Sequence, residues 1–300
     1  MAYGFSGIYP EHADGIGIYT MYDGLEDEFG DIVGKARRGQ ELSAGDLGRA
    51  VGLTEREWAR MEAYEWFPDP DLVGRIAEEL GLDRKKLVGS AQKSFYPKYP
   101  MGKPLANSRV QMMILGDSFL MNGYLVGCHT SGKALCIDPG FDGEKILSVA
   151  ERADLQIEQV VLTHGHHDHI GALEHVVRHT GARVYMNEED LPLLGALSNV
   201  VDSTLSEGDI VGVGQLNFTV FATGGHTPGG LSLVGEEAAF VGDALFAGSL
   251  GGTRQKNAYQ MQRDAVAEHI LGLRDEMLLY PGHGPATTVG EERVHNPFFV

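Results

Sequence analysis

The chain has 300 residues, a formal net charge of −18, 43% hydrophobic and 22% charged residues, a globular rather than disordered balance that suffices for one large domain or two ordinary ones. No run of 18 apolar residues exists for a transmembrane helix, and the negative charge disfavours non-specific nucleic-acid binding by the whole chain. Two cysteines, Cys128 and Cys136, exclude a disulfide framework, and residues 1–7 carry no basic or apolar leader; both point to a reducing cytoplasm.

Residues 1–25 are rich in Gly and Tyr and form an N-terminal arm. Within it, 16–22 reads equally as a strand or as a segment packing on another domain or subunit. Residues 26–92 read as short helices. Ser43 with Asp46 and Thr54 with Glu57 are capping pairs that start two of them, separated by Gly52. Pro68 and Pro70 break the chain, Asp71 starts a third helix, and Gly81 stands where a helix ends. A last short helix covers 85–87. Pro97, Pro100 and Pro104 then mark an extended linker over 93–107.

From 108 to 300 apolar runs alternate with turns and helical stretches. Strands are predicted at 110–115, 120–126, 134–137, 159–162, 183–186, 216–221, 231–234 and 238–241, and helices at 143–153, 173–179 and 260–273. Many short strands with fewer helices indicate an α+β layered domain.

The run at 160–162 leads into His164-Gly-His-His-Asp-His169. A turn after a buried strand is where a rigid scaffold presents functional side chains. Imidazole and carboxylate suit zinc, iron or manganese. His164 and His166 can share one ion, and Asp168 and His169 can serve a second. His226, Asp243 and His283 each follow or lie in a Gly-rich turn and are the candidates to complete the two sites. A carboxylate such as Asp243 can bridge two cations. His167 occupies the free position of the motif. His175 and His179, four apart on a predicted helix, read as a solvated face, and Cys128 and Cys136 as small core residues.

The order HxHxDH, Gly225-His-Thr-Pro-Gly-Gly230, Gly242-Asp-Ala-Leu-Phe246 and Pro281-Gly-His-Gly-Pro-Ala-Thr-Thr288 resembles the metallo-β-lactamase superfamily, and within it the glyoxalase II-like hydrolases. The resemblance implies an αββα sandwich over 108–300. It implies that His164, His166 and His226 form one metal site, that Asp168, His169 and His283 form the other, that Asp243 bridges, and that Asp138 supports the ligands from behind. It also implies two divalent ions, zinc favoured over iron or manganese. Such a pair, some 3.5–4 Å apart, lowers the pKa of a bridging water towards about 7, and the hydroxide attacks a carbonyl; Asp168 orients the nucleophile or accepts its proton. A thiolate leaves without a strong general acid, so a thioester is the favoured small-molecule substrate. Arg254 and Lys256 are candidates to attract a substrate carboxylate. A persulfide dioxygenase with a single iron on His164, His226 and Asp243, a lactonase, and a ligand-sensing DNA-binding regulator are the alternatives.

The last alternative rests on 37–90, which resemble a lambda-repressor-like helix-turn-helix domain with its recognition helix running from Thr54 to about Glu65. The fold expected is thus an αββα metallo-β-lactamase-type sandwich preceded by a small all-α domain. Residues 26–90 hold ten Lys/Arg against fifteen Asp/Glu, a net of −5 that supplies phosphate neutralisation poorly. A protein–protein or homodimer module is the other use for such helices. No membrane partner is expected.

Overall fold

Five helices come first in the computed structural model, which describes residues 22–300. They are α1 (Phe29–Gly39), α2 (Ala44–Val51), α3 (Glu55–Glu62), α4 (Pro70–Leu80) and α5 (Arg84–Ala91). All but the last four residues of the arm expected at 1–25 lie outside the described residues. The Ser43 hydroxyl accepts from the Asp46 amide at 3.0 Å to start α2, and Thr54 and Glu57 form a reciprocal capping box on α3. Two boundaries differ from expectation. α4 begins at Pro70 rather than Asp71, because Asp69 caps it by accepting from the Leu72 amide at 2.8 Å and proline at the first helical position forfeits no bond. α3 stops at Glu62, short of Glu65, because Tyr64 turns to a φ of 59°.

The remaining elements build two six-stranded sheets. The first runs β1 (Ser108–Leu115), β2 (Met121–Cys128), β3 (Lys133–Ile137), β4 (Gln156–Val161), β5 (Arg183–Met186) and β6 (Ser203–Thr204), in that spatial order. β3 to β6 are parallel, and α6 (Gly143–Arg152), α7 (His167–Ile170), α8 (Leu173–Thr180) and α9 (Leu191–Leu194) lie in their connections. The second sheet orders β7 (Ile210–Val213), β8 (Leu216–Ala222), β9 (Leu231–Val234), β10 (Ala238–Gly242), β11 (Leu278–Pro281) and β12 (Thr287–Thr288). α10 (Lys256–Ala265) and α11 (Val289–His295) belong to this half. α10 starts four residues before the predicted 260 and continues as a wider π turn over Val266–Ile270.

Alternation along the strands sorts their side chains into layers. Tyr124, Leu135 and Val161 meet Phe218, Leu233, Phe240 and Tyr280 between the sheets. Leu125, Cys136 and Val160 face outward onto Ile146, Leu173 and Val176 of α6 and α8. Ala239, Val241 and Leu279 face the other way, and there the core runs unbroken through Val266, Ile270 and Phe298 into Trp58, Ile76, Leu80 and Leu87. The first five helices are therefore an outer layer of the sandwich. The Asp83 amide donates to the Pro297 carbonyl at 2.8 Å, and Lys86 Nζ donates to the Phe299 carbonyl at 2.5 Å. Residues 93–107 contain no helix or strand and run along the second sheet, where Pro100 accepts from the Ala286 amide at 2.8 Å. Among the described residues no helix is long and apolar enough to cross a membrane.

Candidate metal centre

Strands of both sheets end on one edge of the sandwich, and the functional side chains leave from the loops that follow them. β4 runs out at Val161 and the chain turns through His164 and His166 into the single turn of α7, which carries Asp168 and His169. Asp243 follows β10 directly, His283 follows β11, and His226 lies in the loop between β8 and β9. Gly282 lets the last loop approach closely: a Cβ there would lie 2.2 Å from Asp243 Oδ1 and 2.7 Å from His169 Cε1.

The structure gathers all seven expected residues. His166 Nδ1 lies 3.1 Å from His164 Nε2 and 2.9 Å from His226 Nε2. His283 Nε2 lies 3.4 Å from His169 Nε2 and 3.3 Å from Asp168 Oδ2. Asp243 stands between the groups, with Oδ2 3.2 Å from His226 Nε2 and 3.7 Å from His283 Nε2, and Oδ1 3.5 Å from His169 Nε2. His167 points to solvent.

The outer nitrogens are tied back. The Nδ1 atoms of His226 and His283 donate to the carbonyls of Gly252 and Leu120 at 2.7 and 2.8 Å. His169 Nδ1 donates to Asp138 Oδ2 at 2.9 Å. The three Nε2 lone pairs are thereby aimed inward, the arrangement that orients metal-binding imidazoles. Asp243 Oδ1 is buried without a hydrogen bond among the described residues. Nitrogen facing nitrogen and an orphaned carboxylate oxygen are unfavourable without a cation among them. The His164/His166/His226 and Asp168/His169/His283 groups can each hold a metal ion.

The electrostatics agree. Burial works to raise the Asp243 carboxyl, but His283, His169, His226 and His164 outweigh it and hold the group well below the carboxylate range. Burial would lower His283, yet Asp243, Asp168, Glu26 and the Leu120 carbonyl lift it to about 10. Around Asp243 and His283 the site favours positive charge, whereas burial and the neighbouring imidazoles lower His164 and His166 and keep those rings neutral, the state in which imidazole binds a metal.

Asp138, expected behind the ligands, accepts from the Thr163 amide at 2.7 Å and the Thr163 hydroxyl at 2.6 Å besides His169. Its φ of 49° is a strained conformation that these bonds maintain. Other supports escape sequence reasoning. Asp190, fully buried, accepts from the Gly165 amide at 2.9 Å and the Gly229 amide at 2.7 Å, and so fastens the His164–His166 turn to the His226 loop. In Asn187-Glu-Glu-Asp190 it reads as one more solvated acid. Gln262 Nε2 donates to the carbonyls of Asp243, Ala244 and Gly251 at 3.2, 3.0 and 3.2 Å. Asn122 Nδ2 donates to those of Pro281 and Gly284 at 2.9 and 2.8 Å, on either side of His283. No motif marks these amides.

A cavity of about 670 Å³ opens beside His166 and His226, lined also by Gly252, Arg254, Ala258 and Met261. Arg254 sits at this mouth; Lys256 begins α10, exposed, outside the lining.

The sequence profile of the metallo-beta-lactamase superfamily matches residues 119–283, more than half the chain and from just before β2 to His283. The chain belongs to the metallo-beta-lactamase superfamily. Hydroxyacylglutathione hydrolase GloC of Haemophilus influenzae is similar at 33% identity over 183 residues, covering 55% of this chain and 86% of the relative. Among solved structures, ETHE1 from Myxococcus xanthus is similar with a TM-score of 0.56 and 30% identity, over 63% of this chain and 83% of that one. TTHA1623 in a di-iron-bound form is similar with a TM-score of 0.54 and 32% identity, over 63% of this chain and all of that one. The five N-terminal helices precede the profile match of this superfamily member.

Proposed function

We propose that this metallo-hydrolase cleaves a thioester, with His164, His166 and His226 holding one divalent cation, Asp168, His169 and His283 a second, and Asp243 shared. The observation that carries the reading is the convergence of all seven donors, with Asp243 oxygens 3.2–3.7 Å from imidazoles of both groups. Zinc suits the donor set best, with iron and manganese as alternatives. When bound, the cations supply a nucleophile at neutral pH and polarise the scissile carbonyl.

The chain's own residues do the rest. Asp168 Oδ2 faces His283 and His169 at 3.3 and 3.5 Å, and in this reading the carboxylate orients the attacking water and takes its proton. A thiol leaving group titrates near pH ~8.5 and departs without a donor. The cavity at the mouth falls in the size range of small-molecule sites, and Arg254 at its rim suits a carboxylate on the substrate. Similarity to a hydroxyacylglutathione hydrolase supports a thioester over a lactone. The helices at 29–91 serve the enzyme as an outer layer; their net charge and the core they share with Val266, Ile270 and Phe298 support that use over DNA reading. The reducing cytoplasm remains the compartment that two unpaired cysteines favour.

A panel of acyl thioesters, lactones and glutathione persulfide, assayed with and without chelator, tests the reading. Thioester turnover abolished by chelator and restored by zinc is expected. Oxygen uptake with the persulfide and no thioester cleavage would replace it with the mononuclear-iron alternative on His164, His226 and Asp243.

A further inference from the structure

A second meeting of ligand-type side chains lies away from the central clusters, on the outer face of the first sheet. The four-residue spacing of His175 and His179 puts both rings on one side of α8. Sequence spacing alone shows no third partner there. The fold supplies one: Glu144, in the first turn of α6, brings Oε1 to 3.0 Å from His175 Nε2. The two rings lie with centroids 4.3 Å apart, and one ligand atom from each of the three residues falls within 4.8 Å of the others.

Two details point to a cation between them. His175 Nε2 is buried and makes no aligned hydrogen bond among the described residues, although the Glu144 oxygen is within reach. Ligands of one ion are close without pointing at each other; each points at the ion. His179 Nδ1 donates to the His175 carbonyl at 2.8 Å, the backbone bond that fixes the tautomer leaving Nε2 as a lone-pair donor. The His175 ring is also held in place, since a Cβ on Gly143 would come 2.5 Å from its Cδ2. Arg178 Nη2 lies 3.5 Å from Nδ1 of that ring and leaves Nε2 open.

We propose that Glu144, His175 and His179 form a peripheral site for a zinc-type transition cation, with water completing its coordination. Two imidazoles and one carboxylate are the donor set of such ions rather than of magnesium or calcium. Tetrahedral ligands at about 2.0–2.1 Å from zinc are separated by about 3.3 Å; the Glu144–His175 pair at 3.0 Å is already near that spacing, and the His179 ligand atom, within 4.8 Å of both, closes on the ion by a rotation of its exposed ring. The bound ion would clasp α6 to α8. α6 follows the loop of Asp138, and α8 follows the turn of Asp168 and His169, so the clasp braces the outer side of the central site.

The test titrates zinc into the full-length protein with its central ions already loaded, followed by calorimetry and by Tm. His179→Ala and Glu144→Gln change exposed side chains and spare the core. Wild type is expected to take up one further equivalent and gain in Tm. Each variant is expected to lose both gains while keeping its central metal content. Equal titrations for wild type and both variants, or no uptake by wild type beyond the central ions, would overturn the proposal. Equal uptake of magnesium would overturn the class of cation.

Discussion

Asp243 touches imidazoles from both halves of the centre and depends for its low pKa on four of them. Asp243→Ala is expected to reduce bound metal below one ion per chain and abolish turnover, with the circular dichroism spectrum unchanged; full metal content in the variant would refute its role. Asp138 acts at one remove, through His169 and Thr163. Asp138→Asn is expected to weaken metal binding by about 10–100-fold, measurable by competition with a chromophoric chelator. Asp190 bears on the loops rather than the ions. Asp190→Ala strands two buried amides, Gly165 and Gly229, at about 1–3 kcal/mol each; chemical denaturation is expected to show a loss of about 2–6 kcal/mol. At this scale the sequence was legible where chemistry demands a residue type in a motif: the seven donors and Asp138 stand in the loops that follow strands or, for Asp168 and His169, in the single helical turn that such a loop enters. It was opaque for Asp190, Gln262 and Asn122, because backbone amides and carbonyls brought together only by folding set their roles.

Among the elements, the loop after β10 is held by a buried carboxylate. Glu292 on α11 accepts from the Gly248 amide at 3.0–3.1 Å, from the Thr287 hydroxyl at 2.8 Å and from Asn296 Nδ2 at 2.8 Å. Burial raises it from 4.5 to about 7 against the pull of those donors. Because the folded value lies above the ordinary one, the protein gains a proton on folding in this interval. That stabilisation is complete below pH 4.5 and is lost as pH rises through about 7. Glu292→Gln is expected to flatten this part of the pH–stability curve, as read by Tm between pH 4.5 and 7.5; an unchanged slope would assign it to other groups. Strands and helices were read closely from alternation and capping, as at Arg183–Met186 and Leu231–Val234. Boundaries moved where an interaction outside the local pattern decided, as with the Tyr64 turn that ends α3. β7 and β11 went unpredicted, being four-residue runs of which one contains Gly212 and the other ends on Pro281, residues that argue against a strand.

Over the whole molecule, the five N-terminal helices and the outer face of the second sheet form one core. A chain beginning at residue 105 would expose Val241, Leu245, Val266 and Ile270, all buried in the intact protein. Such a truncation is expected to aggregate or to lose cooperative unfolding, whereas a tethered module could be removed without loss. The helix-turn-helix resemblance was visible in sequence; the burial of that unit against the enzyme was not, since Trp58 and Leu80 would be apolar in an independent domain too. In the proposed reading the folded chain assembles a dinuclear centre. Elemental analysis of protein purified without chelator counts its ions. Two divalent metal ions per chain are predicted; a single iron per chain, or no bound metal, would contradict that reading.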